Sequence, residues 1–344
     1  MIRPDEVLLH IGHGKTGSSY LQALLASSVE ILAAHGIAYP IDAEIAHKAR
    51  SGAITSGNLP AGPGHFSRLL RTGWEGPTQR LLISGEAYFA RLDANGVLVR
   101  IREQVPDATV RVLLYVRDPL DHAASFYQQS IKRGGYTESF SAFLDTYNVP
   151  RRVAQMIAFV EGEGGSIAVR NYSRFRDDLK GSLEAWLGLP HGVLREPQST
   201  SVNRSMTRAE LAFQAAFNRH YGPRSARFVS DPLCETLPDV RSENPVATRQ
   251  ALERFLARMQ EMLAEVSFGA RAPEGEGYRL PSLDEAIARF EAPQEAPVYT
   301  FTAVQLETLA EAISAVVPPD TEHEEAAAQR RERRARKMER TARR

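Results

Sequence analysis

Between Val7 and Leu189, short apolar runs alternate with stretches in which apolar residues recur every three or four positions. The first run, Val7 to Ile11, reads as a strand, because a brief unbroken apolar run suits a strand covered on both faces. A glycine-rich turn follows. Beyond it Tyr20, Leu21, Leu24, Leu25 and Leu32 fall largely on one helical face, with Gly36 as the stop. Gly36 to Pro40 reads as a second short strand, and Leu81 to Ser84 as a third that runs into Gly85-Glu86. Residues 94–104 carry a helical pattern. Val110 to Val116 is the clearest strand of all, rich in β-branched residues, and it leads into Arg117-Asp118-Pro119. A helix starting near Pro119 carries Ala123, Ala124, Phe126, Tyr127 and Ile131, and Gly134-Gly135 closes it. Ser166 to Val169 is a fifth strand, and the helix after it ends at Leu187-Gly188-Leu189.

This alternation predicts an α/β fold: a doubly wound, mainly parallel central sheet with helices on both faces. In such sheets the loops at the strand C-termini gather on one edge, where ligands bind. The loop after the first strand, Glu86 and Arg117 all fall on that edge. Residues 51–64 are rich in glycine and proline and read as a lid or substrate loop. Residues 206–315 are mainly helical, so 1–318 is expected to form one α/β domain. Residues 319–344 differ in kind, and no internal repeat is present.

Composition adds bounds. The chain of 344 residues is 43% hydrophobic and 24% charged, with a formal net charge of zero. That balance gives no general reason to expect a nucleic-acid or membrane partner. It conceals an asymmetry, since residues 329–344 hold nine Arg or Lys against Glu332 and Glu339. The tail reads as a solvated end, with contact to an anionic surface as the alternative; no aromatic residues interleave its charges. A single cysteine, Cys234, excludes an internal disulfide framework. With no apolar run near 18 residues and no basic-then-apolar leader, the expectation is a soluble cytoplasmic protein. No feature of the sequence assigns an oligomeric state.

The turn after the first strand, Gly12-His13-Gly14-Lys15-Thr16-Gly17-Ser18-Ser19, carries the chemistry. A glycine turn between strand and helix presents backbone N–H groups and the positive end of the helix dipole to an anion. Lys15 adds a full charge, and Thr16, Ser18 and Ser19 add hydroxyls. Gly12 and Gly17 are spaced as in the triphosphate loop G-x-x-x-x-G-K-[ST], but there the lysine follows the second glycine. Here Lys15 precedes Gly17, so a magnesium-triphosphate arrangement fits badly. The bland alternative is a turn that merely joins strand to helix.

The order Lys15-Thr16-Gly17-Ser18-Ser19 resembles the 5′-phosphosulfate loop of sulfotransferases that use 3′-phosphoadenosine 5′-phosphosulfate (PAPS), with Ser18 where threonine is usual. Arg117-Asp118-Pro119 followed by Ser125 is similar to that family's 3′-phosphate segment, at the same spacing. The resemblance covers about residues 5–200, firmly at these two motifs. It implies a fold like that of the P-loop nucleotide hydrolases. It also implies a cofactor set of Gly14, Lys15, Thr16, Gly17, Ser18, Ser19, Arg117 and Ser125. Arg204 and Ser205 stand where the family closes over the cofactor; the competing reading is that Ser205 or Thr207 caps the next helix. Lys15 would absorb charge on the leaving group. Glu86, in a segment similar to the strand-end motif of carbohydrate sulfotransferases, would take the acceptor proton; the alternative is a helix cap. The implied activity is sulfuryl transfer to a hydroxyl of a glycan or small molecule, with a carbohydrate favoured and no metal required.

The histidines compete for the role of base. His10 lies within the strand and reads as structural. His13, in the loop, either touches the phosphosulfate or faces solvent, while His47 and His122 are weaker candidates. Two rivals remain open: a P-loop kinase-like phosphotransferase in which Asp118 imitates a magnesium ligand, and a non-catalytic module that binds nucleotide and glycan.

Overall fold

The computed structural model describes residues 4–11, 13–50, 57–58, 79–85, 89, 97–197, 204–266, 268, 271–272, 276–293, 295 and 298–315. Five strands, β1 (Glu6–Ile11), β2 (Ile37–Ala38), β3 (Arg80–Gly85), β4 (Thr109–Val116) and β5 (Ser166–Asn171), form one sheet in the order β2-β3-β1-β4-β5. Every pairing is parallel. β1 lies at the centre, with Ile11 level with Gly85 of β3 on one side and Leu114 of β4 on the other. Val7, Leu8, Leu9, Ile11, Val112, Leu113, Leu114 and Tyr115 are all fully buried, so β1 and β4 are covered on both faces. That double burial is the physical reason these strands read as unbroken apolar runs.

The helices between the strands are α1 (Ser18–Ser27), α2 (Val29–Ala34), α3 (Ala43–Arg50), α4 (Val97–Gln104), α5 (Pro119–Gly134), α6 (Phe140–Thr146) and α7 (Val149–Gly162). After β5 come α8 (Tyr172–Phe175) and α9 (Leu179–Leu187). The single helix expected after the first loop is in fact two. The chain breaks at the fully buried Ser28, whose hydroxyl accepts the Arg195 N–H at 2.9 Å. A long-range bond therefore overrides the local helical pattern. On one face of the sheet Leu8, Leu82, Leu113 and Tyr115 pack with Leu21, Leu24 and Leu25 of α1 and Leu183 and Leu187 of α9. α9 stops at Gly188, which is left-handed at φ 70°. Of the loop at 51–64, Gly57 and Asn58 are described, and both are fastened to β3. Asn58 Oδ1 accepts the Ser84 N–H at 2.8 Å, and a Cβ on Gly57 would collide with the Ser84 carbonyl.

Two compact units emerge: Met1–Gln129 with Glu138–Val202 and Asn244–Ala296, and Ser130–Thr137 with Asn203–Glu243 and Pro297–Arg344. The helical segment at 206–315 is thus shared between them. α12 (Arg249–Glu265) and α13 (Leu283–Phe290) belong with the sheet, where α12 packs on α6. The second unit contains α10 (Arg208–Tyr221), α11 (Ser230–Thr236) and α14 (Ala303–Ser314). Among the described residues no helix is long and apolar enough to cross a membrane. The 329–344 tail lies outside the described residues.

The second unit is organised around a buried ion pair. Arg204 meets both carboxylate oxygens of Glu210 at 2.7 Å and also donates to the Leu237 and Leu233 carbonyls. Glu210 completes a capping box with Thr207 and accepts from Gln305 at 2.7 Å. Burial pushes the Glu210 carboxyl up, but the bonds from Arg204, Thr207 and Gln305 outweigh it and hold the pKa below its ordinary value. Removing one partner of such a pair leaves the other charge buried and uncompensated. Glu210→Ala is therefore expected to lower unfolding free energy in urea by about 3–5 kcal/mol; a loss below about 1 kcal/mol, the level of a surface pair, would contradict this assignment.

Candidate anion-binding site

The loop after β1 is shaped by two left-handed residues. Gly17 has φ 84° and sits at the N-cap of α1 without a side-chain cap. A Cβ there would come within 2.5 Å of Leu179 Cδ2 and 3.1 Å of Tyr172 Cε2, so the position demands glycine in both space and conformation. Lys15, at φ 67°, is the one non-glycine residue with positive φ among those described. Such turns direct neighbouring N–H groups to one side, and the first-turn N–H groups of α1 have no partner within the helix. Inside the turn, Thr16 Oγ1 donates to the His13 carbonyl at 2.5 Å and Ser18 Oγ to the same oxygen at 3.4 Å. Ser19 is exposed.

α5 and the residues leading into it line this loop. Arg117, at the C-terminal end of β4, donates through Nη1 to the Lys15 carbonyl at 3.3 Å and lies 5.6 Å over the Tyr172 ring. Burial lowers its pKa from the ordinary value, and among the described residues it has no salt bridge; the nearby Asp121 pairs with Arg289 instead. His122 Nε2 meets the Gly14 carbonyl at 3.0 Å, and Lys15 Nζ donates to Gln129 Oε1 at 2.8 Å. Positions 122, 125 and 129 are spaced i, i+3 and i+7, one stripe of a helix. Ser125 is therefore carried between two residues that touch the loop. It is half-buried, and its hydroxyl forms no hydrogen bond among the described residues.

The histidines separate. His13 is not solvent-facing: it is 2% exposed, against Phe89 at 4.3 Å and His122 at 4.4 Å between ring centroids. Its Nδ1 meets the Gly14 carbonyl at 3.1 Å, while its buried Nε2 has no partner among the described residues. His10 is structural, bonded through Nδ1 to Ser84 Oγ at 2.8 Å. His47 is exposed on α3. Neither His122 as a loop contact nor Gln129 was singled out from the sequence, although their spacing to Ser125 was readable there.

The remaining candidates separate. Glu86 lies outside the described residues; the strand before it ends at Gly85, level with Ile11. Arg204 is committed to Glu210 within the second unit, where its neighbour Ser205 accepts through its carbonyl, and Thr207 caps α10. Asp118 Oδ1 accepts from Asn171 Nδ2 and the Arg279 N–H, each at 2.9 Å, and Oδ2 lies 3.6 Å from Arg174. Its carboxylate thus fastens β4 to β5 and to the segment before α13. Among the described residues no group of three side chains is arranged to hold a metal ion.

One solved structure similar to this chain is a sulfotransferase from Alicyclobacillus acidocaldarius, with 17% sequence identity and a TM-score of 0.34. The match covers 66% of this chain and 96% of that one. No family model matches the chain, and no curated protein matches it.

Three buried imidazoles make a prediction about pH. Burial lowers His10 and His13 to about 4 and His122 well below the ordinary 6.5. The unfolded chain therefore takes up these protons first as the pH drops. Stability is complete above about pH 6.5 and declines from there toward pH 4, by on the order of 2 kcal/mol per histidine at pH 5. Urea unfolding at pH 7.5 and pH 5 checks this; equal stability at both would contradict it.

Proposed function

We propose that the protein is a PAPS-dependent sulfotransferase acting on a hydroxyl, with a carbohydrate as the acceptor class. The observation that carries the reading is Arg117: a largely buried guanidinium with no carboxylate partner among the described residues, placed against an anion-type loop. A buried cation needs a counter-charge, and a phosphate would supply one through a forked, charge-assisted pair. Ser125, on the stripe between His122 and Gln129, would add a hydroxyl to the same group. The uncapped first turn of α1 and the loop residues Gly14, Lys15, Thr16, Gly17, Ser18 and Ser19 would hold the second anionic centre. Two such centres suit a nucleotide with separate 3′ and 5′ charges better than a single triphosphate chain.

PAPS would supply an activated sulfuryl group whose leaving oxygen departs on the 5′-phosphate. Lys15 would neutralise charge there, moving its ammonium from Gln129. Glu86 would accept the proton of the acceptor hydroxyl. Arg204 is left out of the donor set, since its donors are taken up by Glu210 and backbone carbonyls. The kinase reading is disfavoured on a separate ground: Asp118, its required metal ligand, is occupied by Asn171, Arg279 and Arg174.

Transfer of labelled sulfate from PAPS to a panel of glycans, phenols and lipids tests the reading, with labelled glycan as the expected product. Binding of the spent cofactor without transfer to any acceptor would favour a non-catalytic module. Lys15→Ala is expected to lower turnover by about 10²–10³-fold with unfolding unchanged; a fully active variant would remove its assigned role. Arg117→Ala should erase the preference for adenosine 3′,5′-bisphosphate over 5′-AMP, and a preserved preference would place the 3′ site elsewhere.

A further inference from the structure

The Gly14 carbonyl is held by two imidazoles. It accepts from His13 Nδ1 at 3.1 Å and from His122 Nε2 at 3.0 Å. A carbonyl oxygen only accepts, so both nitrogens carry hydrogen. Tyr147 Oη lies 2.9 Å from the other nitrogen of His122. A neutral imidazole has one donor and one acceptor, so Nδ1 of His122 is bare and takes the Tyr147 O–H. The neutral form is favoured on every side. His122 is 2% exposed, and among the described residues the charged or titratable groups facing it are Lys15, Arg117, His13 and Tyr147, with no carboxylate. Tyr147 is itself buried, and burial keeps its phenol protonated, with a pKa well above the ordinary value.

The described residues contain no cis peptide, so the Lys15 N–H points opposite to the Gly14 carbonyl. Tying that carbonyl back toward α5 turns the N–H outward. The next carbonyl, that of Lys15, is held in turn by Arg117. Lys15 also occupies a left-handed conformation that is strained for a non-glycine residue and persists only where surroundings enforce it.

We infer that His122, locked in its Nε2–H tautomer by Tyr147, is a positioning residue that aims the Lys15 N–H at the bound anion. The inference rests on the proposed reading only in naming that anion as the 5′ end of the sulfuryl donor. Without the lock, the opposite tautomer would set a bare Nε2 against the Gly14 oxygen, and the peptide would be free to turn.

The test compares the parent with His122→Phe, His122→Gln and Tyr147→Phe. Imidazole ¹⁵N shifts of the unliganded parent should report a neutral Nε2–H form at His122 from pH 6 to pH 8. His122→Phe should weaken adenosine 3′,5′-bisphosphate binding roughly tenfold. His122→Gln, whose amide N–H reaches toward the same carbonyl, should recover most of it, which a merely space-filling role would not produce. Tyr147→Phe should weaken binding several-fold and perturb the His122 ¹⁵N shifts. An Nδ1–H or doubly protonated His122 in the parent would overturn the lock. Parental affinity in a folded His122→Phe would overturn the positioning role, and if that variant fails to fold, parental affinity in Tyr147→Phe does so. If the parent binds no bisphosphate, the sulfotransferase reading fails; the ¹⁵N tautomer and the same variants titrated with inorganic pyrophosphate then decide the positioning role.

Discussion

Two buried, neutral imidazoles donate to one carbonyl, that of Gly14, and the anion loop depends on this restraint. Because the peptide is planar and trans, holding its oxygen also settles where the following N–H points. Burial keeps both rings uncharged, helped by Arg152 beside His13 and by Arg117 and Lys15 beside His122. Among the described residues Lys15 and Arg117 stand beside His122 and no carboxylate does.

The parallel sheet is what brings these groups together. β1 ends in the loop and β4 ends in Arg117, and their registered pairing places the two ends side by side. α5 then runs past the loop, so a single helix supplies His122, Ser125 and Gln129 at one stripe. Gly17 lets the chain turn back against Tyr172 and Leu179 without a clash. Asp118 lies one residue beyond Arg117 yet does different work, tying β4 to β5. Its commitment to structure, together with a lysine that precedes the glycine, is why the proposed reading disfavours a magnesium-triphosphate loop.

Much of this was legible in the residues alone. β1, β3 and β4 were readable because burial on both faces leaves an unbroken apolar run, and α5 because Pro119 and Gly134-Gly135 bracket it. The loop was readable because left-handed positions favour glycine. What escaped was set by contacts distant in sequence. The break at Ser28 depends on Arg195, the burial of His13 on His122 and Phe89, and the role of His122 on Tyr147. Arg204 looked available for a phosphate because nothing local announces that Glu210, six residues on, already holds it. A helix cap and an ion pair shared one carboxylate, and only the cap has a local signature.

On the proposed reading, two separated anionic centres, rather than one triphosphate, belong at this loop. Equilibrium titration of the protein with adenosine 3′,5′-bisphosphate, and separately with ATP and magnesium, tests it most directly. The account predicts tight, magnesium-independent binding of the bisphosphate and weak binding of ATP. Tight binding of magnesium-ATP with no binding of the bisphosphate would contradict it.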